Sequence, residues 1–234
     1  WMQFKNPNTG KNIVVKDGRF AHFILTGGTM PEERERAGML AVLQTYKEVL
    51  GVDRLPITVT RSAPSSPEVL EELHNHGCAS VGLDIEVWNP DYFRAICPGK
   101  NNLPGRDNWS QALKWGVEIF GKGKVRSSFV AGIEPMEYTL EGIEYLCSIG
   151  VQPTPYLWCP ELGSKFWRHR TPTLDWYLEL FQKTADFWFK YGFVQPRLLD
   201  PTNPSACLRC PPAQVFAAEI NHRMILEDPN WVWP

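Results

Sequence analysis

The stretch Phe23-Ile24-Leu25-Thr26-Gly27-Gly28-Thr29-Met30-Pro31-Glu32 passes from a short apolar run, through a pair of glycines, into the opening of a helix. An apolar run of this length reads as a buried strand, and Pro31 followed by acidic residues suits the first turn of a helix. Thr29-x-x-Glu32 has the spacing of a capping box. Strand, glycine turn and helix together make a βα unit. In such folds the carboxyl ends of the strands carry the chemistry, because loops converge there and helix N-termini point unpaired N–H groups into the same space. Adjacent glycines let the backbone approach a ligand that a Cβ would hold away, although a glycine pair also serves as a plain turn into a helix.

The unit recurs. Apolar strand patterns lie at about 22–27, 57–61, 80–87, 125–131 and 151–158, and each of the first four is followed by a helical pattern before the next. The first helix runs to Leu50 and stops at Gly51. Ser66-Pro67-Glu68 opens a second that closes at Gly77, a third spans about 107–120, and Thr139 opens a fourth that closes at Gly150. Alternation at this spacing requires parallel strands with right-handed crossovers. Gly27-Gly28 is not the G-x-G-x-x-G of a dinucleotide fold, so an α/β, parallel (β/α) partial TIM barrel is expected rather than a doubly wound sheet. A five-strand arc has an open edge, and the chain begins at Trp1 rather than Met, so truncation upstream is expected.

Three segments follow. Residues 1–20 form a polar lead-in around Ile13-Val14-Val15, residues 21–192 the barrel core, and residues 193–234 an extension rich in Pro, Asn and Cys. Thr171-Pro172-Thr173 caps a helix near 173–191 with one apolar stripe through Leu174, Tyr177, Leu178, Phe181, Ala185 and Trp188. A second stripe runs through Trp176, Leu180 and Phe187, so the helix is expected to be covered on two sides. A last helix is expected from about Gln214 to Met224.

The chain has 234 residues, 43% of them apolar, and a formal net charge of −2. The near-balanced charge gives no basic footprint for nucleic acid, and no long uncharged apolar run suits a bilayer. Six scattered cysteines and the lack of a signal-peptide pattern suit a reducing, cytoplasmic setting.

Taken together, His22 to Thr29, Val81-Gly-Leu-Asp-Ile-Glu-Val-Trp88 and Val125-Arg-Ser-Ser-Phe-Val-Ala-Gly-Ile-Glu134 resemble the second, fourth and fifth strands of radical S-adenosylmethionine (radical SAM) enzymes, nearest the biotin synthase and hydrogenase-maturase branch. The likeness covers roughly residues 20–190. It implies that Gly27, Gly28 and Thr29 form the turn that holds the methionyl amino group, with Thr29 in place of the family's acidic residue. It implies that Glu86 contacts the ribose hydroxyls or the methionyl group, and that Val130 to Glu134, including Gly132, packs against adenine. Tyr156 and Leu157 lie where the family's backbone meets adenine, and Arg106 or Arg126 would meet the cofactor carboxylate. The resemblance further implies a [4Fe-4S] cluster, a reductant such as flavodoxin or ferredoxin, and hydrogen abstraction from a small-molecule substrate. The family's Cys-x-x-x-Cys-x-x-Cys does not occur in the sequence, and its ligands are expected upstream of Trp1.

Other readings stand beside these. Asp84 and Glu86 share one face of the strand by its period of two, so both are expected to point into a barrel lumen, where the plainer reading for Asp84 is an ion pair with a lumen Arg or Lys. Cys207-x-x-Cys210 suits an auxiliary cluster or zinc, completed by Cys159 or further cysteines, or else two loop thiols. Cys78, Cys97 and Cys147 read as small buried hydrophobes, Trp88 and Trp158 as core or pocket wall, His74 and His76 as a solvated helix end, and His169 as part of an exposed basic loop. Two further function classes fit: a barrel enzyme using Glu86 and Asp84 for acid–base chemistry, and a non-catalytic barrel that binds a partner through the helix at 173–191.

Overall fold

The computed structural model describes residues 23–28, 30–193 and 211–228. Five strands, β1 (Phe23–Thr26), β2 (Leu55–Thr60), β3 (Cys78–Gly82), β4 (Val125–Ala131) and β5 (Gln152–Leu157), pair in sequence order and all in parallel. That order separates the two expected architectures. A doubly wound sheet reverses its strand order midway, whereas sequential parallel strands with right-handed crossovers keep their helices on one face and curl toward a barrel. The crossovers carry α1 (Glu32–Leu50), α2 (Glu68–Asn75), α3 (Pro90–Ile96), α4 (Pro98–Asn102), α5 (Arg106–Phe120) and α6 (Met136–Ser148); α7 (Leu174–Lys190) and α8 (Pro211–Glu227) follow β5.

Alternation along the strands gives the sheet two unlike faces. Val59, Val81 and Val125 stand in register on the helix side, where Gly116 of α5 lies against the two valines of β3 and β4. The other face is polar. Thr26, Thr60, Gly82, Arg126 and Gln152 occupy one register row across all five strands, and Thr58 Oγ1 and Ser80 Oγ share a hydrogen bond of 2.5 Å in the row beneath. The core between sheet and helices holds Phe93, Trp109, Phe129, Phe181 and Trp188, all fully buried. Each such side chain contributes on the order of 1.5–3 kcal/mol of hydrophobic stabilisation.

Several expected helix boundaries shift. Pro31 rather than Thr29 stands at the N-cap of α1, with no side-chain cap bond. Glu32 does not turn back to the helix start; its carboxylate accepts from Ser65 N–H and Oγ, both at 2.8 Å. Helix α6 begins at Met136, and Thr139 bonds instead to Glu134. Thr173 does cap α7, accepting from Trp176 N–H at 3.3 Å. Helix α7 is covered on two sides, by α6 and by α8, whose Ile220 and Met224 join the core. Its first apolar stripe is not wholly buried, because Leu174 and Leu178 remain exposed. The lead-in at 1–20, Thr29 and the Cys207-x-x-Cys210 loop lie outside the described residues. Among the described residues no helix is long and apolar enough to cross a membrane.

Candidate functional site

A pocket opens at the carboxyl ends of β1, β2 and β3, lined by Thr26, Gly28, Thr60, Arg61, Asp84 and Glu86, with Lys100 and Trp109 forming one wall. It brings together Gly28 and Glu86, which the sequence places two strands apart. Gly28 has φ +70 and an added Cβ would meet nothing within 4 Å, so glycine is required there by the backbone and the space above it is open. Gly27 precedes it on the same turn.

Strand β3 ends at Gly82, so strand alternation does not place Asp84 and Glu86. Glu86 instead makes an isolated parallel bridge to β4. Its N–H donates to Ser128 O at 2.9 Å, and Val130 N–H donates to its carbonyl at 2.7 Å. Held from both sides, Glu86 has φ +72, the only positive φ outside glycine among the described residues. A non-glycine residue there costs on the order of 1–2 kcal/mol, and such strain concentrates at functional sites. The Glu86 carboxylate accepts from Lys100 Nζ at 2.6 Å. Burial pushes its pKa upward, and the Lys100 ammonium opposes that shift. Asp84 Oδ1 accepts from Ser128 N–H at 3.0 Å and lies 3.9 Å from Arg126 Nη1, the lumen ion pair expected for it.

The two arginines expected at a cofactor carboxylate have different surroundings. Arg126 rises from the polar face of β4, donates to Thr60 Oγ1 at 2.5 Å, and so adjoins the pocket. Arg106, at the start of α5, donates from Nε and Nη2 to Trp88 O and stacks over the Trp88 ring at 4.7 Å. It lines a separate cleft with Pro90, Arg94 and Asp107. The cations Arg61 and Lys100 also line the pocket. Arg61 is the first residue beyond β2, a position equivalent to others that were singled out, whereas Lys100 lies in an irregular crossover and carries no local signal. Arg61 Nη2 pairs with Glu35 Oε2 at 3.1 Å, both side chains being essentially buried. Desolvation pushes the Glu35 carboxyl up and the Arg61 guanidinium down, each opposed by the other's charge.

The remaining expected residues lie toward β4 and β5. Gly132 has φ +104 and faces Pro172 and Tyr177 so closely that a Cβ would lie 2.7 Å from Pro172 Cδ and 2.9 Å from Tyr177 Oη. Its carbonyl receives His169 Nε2 at 3.1 Å, which ties the exposed basic loop back to the strand end. Tyr156 and Leu157 pair in register with Val130 and Ala131 at the end of β5. Glu134 is buried, and its carboxylate accepts Trp88 N–H at 2.7 Å and Asn89 N–H at 2.9 Å, joining the loops after β3 and β4. Trp88 is core, and Trp158 packs edge-on against Phe166 and His169.

Among the described residues no three His, Cys, Asp or Glu side chains group as a metal site. Cys78 and Cys147 are buried, and burial pushes the Cys78 and Cys97 thiols up to about 11 and that of Cys147 higher still. Cys159 is exposed. Since the thiolate is the reactive form, brief treatment of the native protein with iodoacetamide is expected to modify Cys159 first of these four, with Cys78 and Cys147 reacting only after unfolding. Peptide mass mapping checks this, and early modification of Cys78 or Cys147 would contradict the packing described.

The fold and site define a class: a parallel, barrel-like β/α protein with a polar inner face and a charged pocket at the carboxyl ends of its first described strands. No family model matches the chain. It is 36% identical over 188 residues to the bacteriochlorophyllide c C-7(1)-hydroxylase of Chlorobaculum limnaeum, a match that covers 76% of this chain and 46% of that enzyme. The chain thus spans about half the length of the curated relative it matches.

Proposed function

We propose that this chain is the greater part of the barrel of a radical SAM enzyme that acts on a C–H bond of an organic substrate. The observation that carries the reading is the convergence of the Gly28 turn and Glu86 on one polar pocket at the strand ends. The similarity to an enzyme named for hydroxylating a carbon atom supports it from an independent direction.

The pocket's chemistry suits a ligand that is cationic at one end and hydroxylated at another. Backbone groups of Gly27 and Gly28 and the Thr26 hydroxyl would meet an ammonium and its neighbours, and Glu86 would accept hydrogen bonds from hydroxyls. Arg126 and Arg61 supply positive charge for a carboxylate, and Arg126 is favoured over Arg106 because it rises from the inner face. When bound with its cluster, S-adenosylmethionine supplies a 5′-deoxyadenosyl radical for hydrogen abstraction. Among the described residues no three His, Cys, Asp or Glu side chains group to hold a cluster, and the proposal assigns the [4Fe-4S] ligands to sequence upstream of Trp1. This chain's own share is to bind, orient and shield the cofactor.

The acid–base alternative draws on Glu86, whose raised pKa suits a general acid. The two readings separate in one assay. The full-length protein, reconstituted anaerobically and reduced with dithionite, is expected to convert S-adenosylmethionine to methionine and 5′-deoxyadenosine. Iron-loaded protein that leaves S-adenosylmethionine intact would overturn the proposal and favour the acid–base barrel.

A further inference from the structure

The Lys100 ammonium is held by three groups, two from the segment after β3 and one from α5. It donates to Glu86 Oε1 at 2.6 Å and to Asp84 O at 2.5 Å, and it lies 4.5 Å from the centre of the Trp109 ring. Trp109 is itself fixed, being 1% exposed with its Nε1–H directed to Leu83 O at 3.3 Å. Lys100 belongs to α4, a five-residue helix inserted between β3 and α5. An ion pair on a protein surface needs no such housing, and a median exposed pair contributes little to stability. Here the side chains are only 19% and 29% exposed, and the partner carboxylate sits on the single strained non-glycine backbone position among the described residues. No hydrogen bond among the described residues reaches Glu86 Oε2.

We infer that Lys100 is a positioning residue for the pocket: its contact with Glu86 Oε1 keeps that carboxylate a hydrogen-bond acceptor for the hydroxyls of the bound ligand. This rests on the S-adenosylmethionine reading of the site. The charged groups around Glu86 are Lys100 on α4, Asp84 on its own segment, the Cys97 thiol at the end of α3, and Arg61 and Arg126 from β2 and β4. Of these, Lys100 is the one that lowers the Glu86 pKa against burial and Asp84. Removing it takes away the opposition to burial and to Asp84. The carboxyl then takes up a proton at a higher pH, and a protonated carboxyl offers the ligand a poorer acceptor.

The test compares S-adenosylmethionine dissociation constants across mildly acidic to mildly alkaline pH for the reconstituted full-length wild type, Lys100→Met and Lys100→Arg. Lys100→Met is expected to approach wild-type affinity at the alkaline end. As pH falls it should lose affinity about tenfold per pH unit below the raised carboxyl pKa, with the loss beginning at higher pH than in wild type. Lys100→Arg should restore the wild-type profile. Lys100→Gln serves in place of the methionine variant if that one fails to fold. Superimposable profiles, or a weakening that is the same at every pH, would overturn the inference while leaving the cofactor reading standing. Wild-type protein that binds no S-adenosylmethionine would overturn both.

Discussion

Replacing Glu134 with alanine is expected to destabilise the protein by about 3 kcal/mol. The carboxylate accepts Trp88 N–H at 2.7 Å, Asn89 N–H at 2.9 Å and the Thr139 hydroxyl at 3.3 Å, and the residue is 3% exposed. Alanine leaves those two backbone donors without an acceptor; the buried Trp88 N–H costs about 1–3 kcal/mol and the part-buried Asn89 N–H adds less. The loops after β3 and β4 then lose the contact that sets them side by side, and with it the frame behind the pocket. Glu134→Gln should cost about half as much, since its carbonyl still accepts Trp88 N–H while its amide faces the Asn89 donor. Urea titration of both variants checks the order. A Glu134→Ala protein as stable as wild type would show that the loops are held otherwise.

Gly132→Ala is expected to cost about 2–4 kcal/mol, by two separate causes. The position has φ +104, where a Cβ is strained by on the order of 1–2 kcal/mol, and the new methyl would stand 2.7 Å from the Pro172 ring and 2.9 Å from Tyr177 Oη. Overpacking of that kind adds roughly 1–3 kcal/mol unless the Pro172 loop moves away. Movement of that loop would break the His169 contact to the Gly132 carbonyl and open the end of β5. Thermal unfolding measures the effect, and His169 ring resonances report whether the loop has shifted. The local packing accounts for this glycine without a ligand; an alanine variant with unchanged stability and weakened S-adenosylmethionine binding would instead assign Gly132 to the cofactor.

The repeating βα units were legible because each depends on local chemistry: apolar runs of strand length, glycine stops after α1 and α2, and the Thr173 cap. The polar inner face was not read from the sequence, although Thr58 alternates with Thr60 and Arg126 with Ser128. Alternation misled beyond Gly82, where the chain leaves the strand. Glu86 reaches the pocket through a backbone bridge to β4 and a positive φ, neither of which has a period in the sequence. The different surroundings of Arg106 and Arg126 were likewise tertiary, since Arg106 is engaged by the Trp88 carbonyl. Lys100 and Arg61 were passed over because their partners, Glu86 and Glu35, are brought to them only by the assembled sheet.

Equilibrium binding of S-adenosylmethionine to the reconstituted full-length protein, wild type beside Glu86→Ala, decides whether the pocket holds the cofactor. Alanine keeps the backbone strain and removes only the carboxylate, so thermal stability should change little. Saturable binding by wild type and at least about tenfold weaker binding by the variant are expected, in line with the loss of charge-assisted hydrogen bonds. Equal binding by the two proteins would remove Glu86 from the site, and no binding by either would contradict the cofactor pocket itself.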